Sequence, residues 1–114
     1  HEQWVVAHEG RCVWRDEIGI SAIRPLYESE KPTMVSFDLD AVDQAWAPGV
    51  SAPSTGGLTV AEWLAAAEGA GRPPSVRSCD IVELSPPLDR DGQTARLAAL
   101  TVWHVMLGLA RRRR

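Results

Sequence analysis

The sequence has 114 residues, of which 45% are hydrophobic and 24% are charged. These proportions are those of a globular chain and exclude a disordered, collagenous or coiled-coil protein, and the length predicts one domain. The net charge is −3, although four of the 12 basic residues form the run at 111–114. Because the remainder is strongly acidic, we expect no nucleic-acid partner. No apolar stretch reaches the roughly 18 residues of a membrane span, so no membrane partner is expected.

The cysteines and the two ends of the chain lead to further expectations. Cys12 and Cys79 are far apart and form no C-x-x-C pair, which favours two reduced thiols in a cytoplasmic protein. The chain begins with His1 rather than Met, and we expect it to be part of a longer polypeptide. Residues 111–114 form a basic tail, predicted to be a solvated helix end.

The first third of the chain has weak secondary-structure signals. Residues 4–8 are predicted to be the end of a helix, and residues 11–14 a short strand. Residues 16–27 carry a partial helical pattern that Gly19 and Pro25 interrupt. The polar residues that follow, 28–33, are predicted to form a loop.

The remaining segments have clearer patterns. Residues 34–39 and 75–84 are predicted strands. Thr59 and Glu62 match a capping box, which predicts the start of a helix, and residues 94–112 form a long amphipathic pattern. Strands that alternate with helices predict an α/β fold with a parallel sheet. Ligands of such sheets bind beyond the carboxyl ends of the strands.

Two carboxylates, Asp38 and Asp40, come at the end of the predicted strand at 34–39. In an extended strand their Cα atoms would lie about 6.5–7 Å apart on one face. Two anions this close need compensation, and hard carboxylate oxygens suit Mg²⁺ or Mn²⁺. The alternative is two solvated aspartates, because D-x-D is a common pattern. Asp43 is predicted to cap a turn rather than to bind a metal.

Glu83 follows the apolar residues of the predicted strand at 75–84. Its carboxylate is expected either to be exposed at the strand end or to point into a pocket, where it would pair with a cationic amidine or guanidine. Asp80 in the same strand is predicted to be structural. His104 lies among apolar residues of the last helix and is predicted to be a core or interface histidine. The sequence has no zinc-binding pattern, P-loop or G-x-S-x-G motif, and it identifies no further catalytic residue.

Three groups of residues together resemble the ureohydrolase family, which contains arginases, agmatinases and formimidoylglutamases. The first is S-F-D-L-D-A-V-D at 36–43, followed by A-P-G-V-S-A-P at 47–53 and G-G-L at 56–58. The later D-I-V-E-L-S-P at 80–86 is similar to the family's D-I-V-E-x-N-P strand, with Ser85 in place of Asn. The resemblance extends from about residue 34 to residue 109.

This resemblance implies a three-layer α/β/α fold with a parallel sheet, of which residues 1–114 would be the C-terminal portion. It implies a site for two Mn²⁺ ions that activates water for hydrolysis of a linear amidine or guanidine. Asp38 and Asp40 match the family's metal ligands, and Glu83 matches the acidic residue that faces the substrate. The expected partners are a small-molecule substrate and further copies of the chain in a homo-oligomer.

The loop at 47–53 and Gln44 most resemble those of formimidoylglutamases, which implies hydrolysis of N-formimidoyl-L-glutamate in histidine breakdown. Arginase or agmatinase activity is the alternative within the family. The upstream histidine segment and the D-A-H-x-D segment of the family are not in this sequence, so the isolated chain is expected to be inactive. Two other hypotheses are a non-catalytic assembly module and a phosphatase-like enzyme that uses the D-x-D pair with Mg²⁺.

Overall fold

A computed structural model describes residues 2–18 and 29–112 of the chain. The regular elements within these residues follow one another as helix α1 (Glu2–Ala7), strand β1 (Thr33–Asp38), helix α2 (Val60–Gly71), strand β2 (Val76–Val82) and helix α3 (Gln93–Ala110). Short 3-10 turns lie between them, at Arg15–Glu17, Leu39–Ala41, Pro86–Leu88 and Arg90–Gly92. No helix in the described ranges is both long enough and apolar enough to cross a membrane.

Strands β1 and β2 pair in parallel, with Asp38 opposite Val82. A parallel pair needs a crossover connection, and helix α2 provides it. The predicted α/β class with a parallel sheet is therefore confirmed. Because both strands end at the same edge of the sheet, the residues after Asp38 and after Val82 lie close together in space.

Helices α2 and α3 pack against each other and share one core with the sheet. Phe37 of β1 meets Trp63 of α2 edge to face, with ring centroids 5.4 Å apart. The indole N–H of Trp63 donates to the buried Thr101 hydroxyl on α3 at 2.7 Å, and that hydroxyl donates to the Leu97 carbonyl at 2.8 Å. The hydrogen bonds of the buried hydroxyl are thus satisfied within the core. The sheet and this helical layer are two layers of the predicted fold.

The predicted start of α2 is confirmed in detail. Thr59 is the N-cap, its side chain accepts from the Glu62 N–H, and the Glu62 carboxylate accepts from the Thr59 N–H at 2.8 Å. This reciprocal pair satisfies two backbone donors that a helix leaves unpaired at its N-terminus.

The predicted strand at 11–14 is wrong, since these residues are irregular. Arg15 instead fastens the segment to the loop before α2, donating to the carbonyls of Gly56 and Gly57 and to the Glu62 carboxylate. Of the predicted interrupted helix at 16–27, the 3-10 turn reaches Glu17, and residues 19–28 lie outside the described residues.

The first two residues of the basic tail contact other elements of the fold. Arg111 pairs with Glu68 of α2. Arg112 donates to the carbonyls of Gly71 and Val76 at 2.8 and 2.9 Å. These arginines tie the end of α3 to the end of α2 and the start of β2. Residues 113–114 lie outside the described residues.

Candidate active site

The first half of the site is the turn that follows β1. The strand ends at Asp38, and Leu39–Ala41 form a 3-10 turn. The Asp38 carboxylate accepts from the Asp40 N–H at 2.9 Å and so caps this turn. Leu39 is fully buried and anchors the turn in the core. The two carboxylates therefore come from a strand end and a turn, and not from one extended strand as predicted.

Asp40 has the less favourable electrostatic environment of the two. Its Oδ1 atom is buried and has no hydrogen-bond partner among the described residues. Burial and the neighbouring charge of Asp38 raise the pKa of Asp40, and the charge of Glu83 adds to this rise, whereas a hydrogen bond from the Ala52 backbone opposes it. The site therefore concentrates negative charge around a carboxylate that water does not fully solvate.

The second half of the site is Glu83, one residue beyond the end of β2. Its side chain is exposed, and its Oε2 atom accepts a hydrogen bond of 2.8 Å from the Ser51 hydroxyl. Its φ angle of 68° lies in the left-handed region, which costs a residue with a side chain about 1–3 kcal/mol. Contacts with the surrounding chain must hold Glu83 in this conformation.

Residues 49–52, here called the bridging segment, lie between the two halves of the site. The Gly49 N–H donates to the buried Thr94 hydroxyl at 2.8 Å, and its carbonyl accepts from the Ser85 N–H at 2.8 Å. A Cβ atom on Gly49 would lie 2.4 Å from Cβ of Asp89, so only glycine allows this close approach. The segment is thus attached both to the first turn of α3 and to the chain after β2.

The sequence matches the family model of the arginase family over residues 4–108. The chain belongs to the arginase family. The fold and the family resemblance predicted from residues 36–58 and 80–86 are therefore confirmed.

Two curated relatives and one solved structure show the extent of the similarity. The chain is 43% identical over 79 residues to the mitochondrial guanidino acid hydrolase of Homo sapiens, covering 69% of this chain and 22% of the relative. It is 49% identical over 74 residues to the formimidoylglutamase of Aromatoleum aromaticum, covering 65% of this chain and 22% of the relative. A crystal structure of Trypanosoma cruzi formiminoglutamase with Mn²⁺ superposes with a TM-score of 0.90 at 31% identity, covering 99% of this chain and 39% of that one. The chain thus spans about a fifth of the length of these curated relatives.

Asp43 caps a turn in the long loop, as predicted. Its Oδ1 accepts from the Ala45 N–H at 2.9 Å, and its Oδ2 from the Gly56 N–H at 2.8 Å. These two backbone hydrogen bonds lower the pKa of Asp43. Its carboxylate therefore stabilises the long loop as an anion and caps a turn.

The remaining candidate residues do not join this site. Cys12 and Cys79 are exposed free thiols. His104 is half-buried on α3, and its Nδ1 atom has no partner among the described residues, as is also true of Oδ1 of Asp80. Within residues 2–18 and 29–112, no three His, Cys, Asp or Glu side chains are grouped to hold a metal ion. A metal centre at Asp38 and Asp40 would therefore need donors from elsewhere.

Sequence reasoning missed the residues that connect the two halves of the site, namely Ser51, Thr94 and Gly49. Nothing in the local pattern distinguishes Ser51 from other loop serines. Thr94 looks like an ordinary first-turn residue of a helix, although it is fully buried. The resemblance of A-P-G-V-S-A-P to the family loop was a signal that pointed to this segment.

Proposed function

We propose that this chain supplies part of a manganese-dependent active site that hydrolyses N-formimidoyl-L-glutamate to L-glutamate and formamide. The observation that carries the proposal is the convergence of Asp38, Asp40 and Glu83 at one edge of the parallel sheet. The unpartnered, buried Oδ1 atom of Asp40 supports a cation at this point. Hard carboxylate oxygens suit Mn²⁺, and the Trypanosoma cruzi relative was crystallised with that ion.

In this proposal two of the carboxylates bind the metal and the third binds the substrate. Asp38 and Asp40 would hold Mn²⁺ together with donors from outside the described residues. When bound, the metal supplies water activation near neutral pH and Lewis-acid polarisation. Glu83 would accept hydrogen bonds from the cationic amidine N–H groups and orient the formimidoyl carbon. Water adds to this carbon, and the C–N bond to the glutamate nitrogen breaks. The nitrogen leaves as the amine of L-glutamate, and the carbon leaves as formamide.

The substrate is tested with a panel assayed on the full-length natural protein loaded with Mn²⁺. The panel contains N-formimidoyl-L-glutamate, 4-guanidinobutyrate, arginine and agmatine. We expect the highest kcat/KM for the formimidoyl substrate, and a loss of at least about a hundredfold in Glu83→Gln, because the neutral amide cannot form the charge-assisted hydrogen bonds to the cationic substrate. Faster turnover of arginine or agmatine would overturn the formimidoylglutamase assignment.

Guanidino acid hydrolysis is the second candidate, supported by the 43% identity to the human guanidino acid hydrolase over 79 residues. An amidine and a guanidine both present N–H groups to a carboxylate in the position of Glu83, so this residue does not distinguish them. The panel does, because preferred turnover of 4-guanidinobutyrate would favour this activity.

The 114-residue polypeptide by itself is expected to be inactive. It brings two candidate metal ligands to the site, whereas two metal ions need more donors than two carboxylates provide. Metal-dependent hydrolysis by the isolated polypeptide would contradict this expectation.

A further inference from the structure

We propose that Ser51 is a positioning residue that holds the Glu83 carboxylate in place for the cationic end of the substrate. The inference rests on the proposed function, in which Glu83 faces an amidine or guanidine. It adds a second residue to the substrate-binding part of the site. The observation behind it is the 2.8 Å hydrogen bond between Oγ of Ser51 and Oε2 of Glu83.

The direction of this hydrogen bond follows from the chemistry of its partners. An ionised carboxylate only accepts, so the Ser51 hydroxyl is the donor. The Ser51 hydrogen thus occupies one acceptor position of the Glu83 carboxylate, and its other lone pairs can accept from a cation that carries two or more N–H donors.

Glu83 benefits from such a partner because it is a long, exposed side chain. Ordering a glutamate side chain costs about 1.5–2 kcal/mol in rotamer entropy. A free Glu83 would incur this cost each time a substrate bound. The hydrogen bond from Ser51 orders the carboxylate beforehand, and ordering before binding increases affinity.

Ser51 is itself held firmly by its neighbours. Val50 is buried, and Gly49 is hydrogen-bonded to Thr94 on one side and to Ser85 on the other. Ser51 therefore extends its hydroxyl from a segment whose preceding residues are anchored to α3, to the core and to the chain after β2.

The test compares three variants of the full-length Mn²⁺-loaded protein by steady-state kinetics with N-formimidoyl-L-glutamate and with 4-guanidinobutyrate. Ser51→Ala is expected to raise KM about tenfold, the effect of losing one hydrogen bond to a charged group, while kcat stays within about twofold. Ser51→Thr keeps the hydroxyl and is expected to restore KM to within about threefold. Ser78→Ala removes an exposed serine hydroxyl of β2 and is the matched control, with unchanged KM.

Two further measurements separate positioning from a structural role. Ser51→Ala in a Glu83→Ala background is expected to leave KM unchanged, because the serine acts through the glutamate. Mn²⁺ affinity, measured by electron paramagnetic resonance of the free ion, is expected to stay within about twofold in Ser51→Ala. A fall in Mn²⁺ affinity that accompanies the rise in KM would show a collapsed bridging segment and overturn the inference.

The outcomes also separate this inference from the proposed function. If the unsubstituted protein hydrolyses an amidine or guanidine and Glu83→Gln impairs it, but Ser51→Ala does not change KM, the positioning role alone is wrong. If the unsubstituted protein hydrolyses no member of the panel, the proposed function fails, and the positioning role fails with it.

Discussion

Two regions of the molecule differ in how well their polar groups are satisfied. One is the contact between helices α2 and α3, and the other is the carboxyl edge of the sheet. At the helix contact, Gly71 and Gly108 let the two backbones approach closely, and the Trp63 indole and the Thr101 hydroxyl satisfy each other. At the sheet edge, Asp40 has a buried oxygen without a partner among the described residues. Glu83 has a left-handed backbone conformation. The helix contact is optimised for stability, whereas the edge keeps charge and strain that favour a ligand.

The comparison predicts that substitutions at the two regions change stability in opposite directions, and Asp40→Asn tests it most strongly. The raised pKa of Asp40 means that its charge weakens folding as the pH rises above its ordinary value of 3.8. Asp40→Asn should therefore stabilise the metal-free protein at neutral pH. It should also lower Mn²⁺ affinity by more than about a hundredfold in the full-length protein, since a ligand costs more than an outer-shell partner. Urea denaturation and electron paramagnetic resonance measure the two effects.

Asp43→Asn is the matched control, with the opposite sign. The pKa of Asp43 is lowered, so its charge contributes stability above its ordinary value of 3.8, and this contribution is lost as the pH falls through the folded-state pKa. The substitution should destabilise the protein at neutral pH. Equal destabilisation by both substitutions would contradict the proposed contrast between site and scaffold.

Gly108 lies where the backbones of α2 and α3 approach closely, and we expect no larger residue to fit there. A Cβ atom on Gly108 would lie 2.2 Å from the Glu68 carbonyl oxygen and 2.8 Å from Cα of Gly71. Gly108→Ala should lower the free energy of unfolding by about 2–3 kcal/mol through overpacking, although alanine favours helix. Ala99→Ser on the exposed side of α3 should change it by less than about 0.5 kcal/mol. A neutral or stabilising effect of Gly108→Ala would mean that the helices can separate without loss.

Removal of the buried Thr101 hydroxyl at the helix contact is expected to lower the free energy of unfolding by a smaller amount. Thr101→Val keeps the shape of the side chain but leaves the Trp63 indole N–H without its acceptor. The free energy of unfolding should fall by about 1–2 kcal/mol. Thr101→Ser retains the hydroxyl and tests whether the hydrogen bond matters beyond the lost methyl group. If Ser destabilises the protein more than Val does, packing and not the hydrogen bond dominates at this position.

Loss of the ion pairs of Glu68, at the end of the helix contact, should change the free energy of unfolding the least. Hydrogen bonds from Arg72 and Arg111 lower the pKa of Glu68, against the effect of burial. This contribution is complete above its ordinary value of 4.5 and is lost as the pH falls through the lower folded-state pKa. Glu68→Gln should therefore destabilise by less than about 1 kcal/mol at pH 7 and by nothing once the carboxyl is protonated. The exposed Glu30→Gln is the control and should change the free energy of unfolding by less than about 0.5 kcal/mol at pH 7.

Local signals were sufficient where neighbouring residues satisfy one another. The capping box of Thr59 and Glu62 and the turn-capping role of Asp43 were both predicted, because each acts on backbone groups nearby in the sequence or in its own loop. The parallel sheet followed from the alternation of strands and helices. Asp89 shows the limit of such reasoning, since it lies outside α3 yet accepts from the Thr94 and Ala95 N–H groups at 2.8 and 2.9 Å. These bonds lower its pKa, although partial burial opposes them.

The sequence by itself determined the family, the fold class and the identity of the candidate carboxylates, because these depend on motifs and on periodicity along the chain. The tertiary structure decided how those carboxylates meet. The contact of Ser51 with Glu83 joins residues 32 positions apart, and that of Gly49 with Thr94 joins residues 45 apart. No local pattern encodes such pairs, since they exist only after two parallel strands end at the same edge and α3 packs beside them. The same reason explains Arg111 and Arg112, whose partners on α2 and β2 come within reach only in the folded chain.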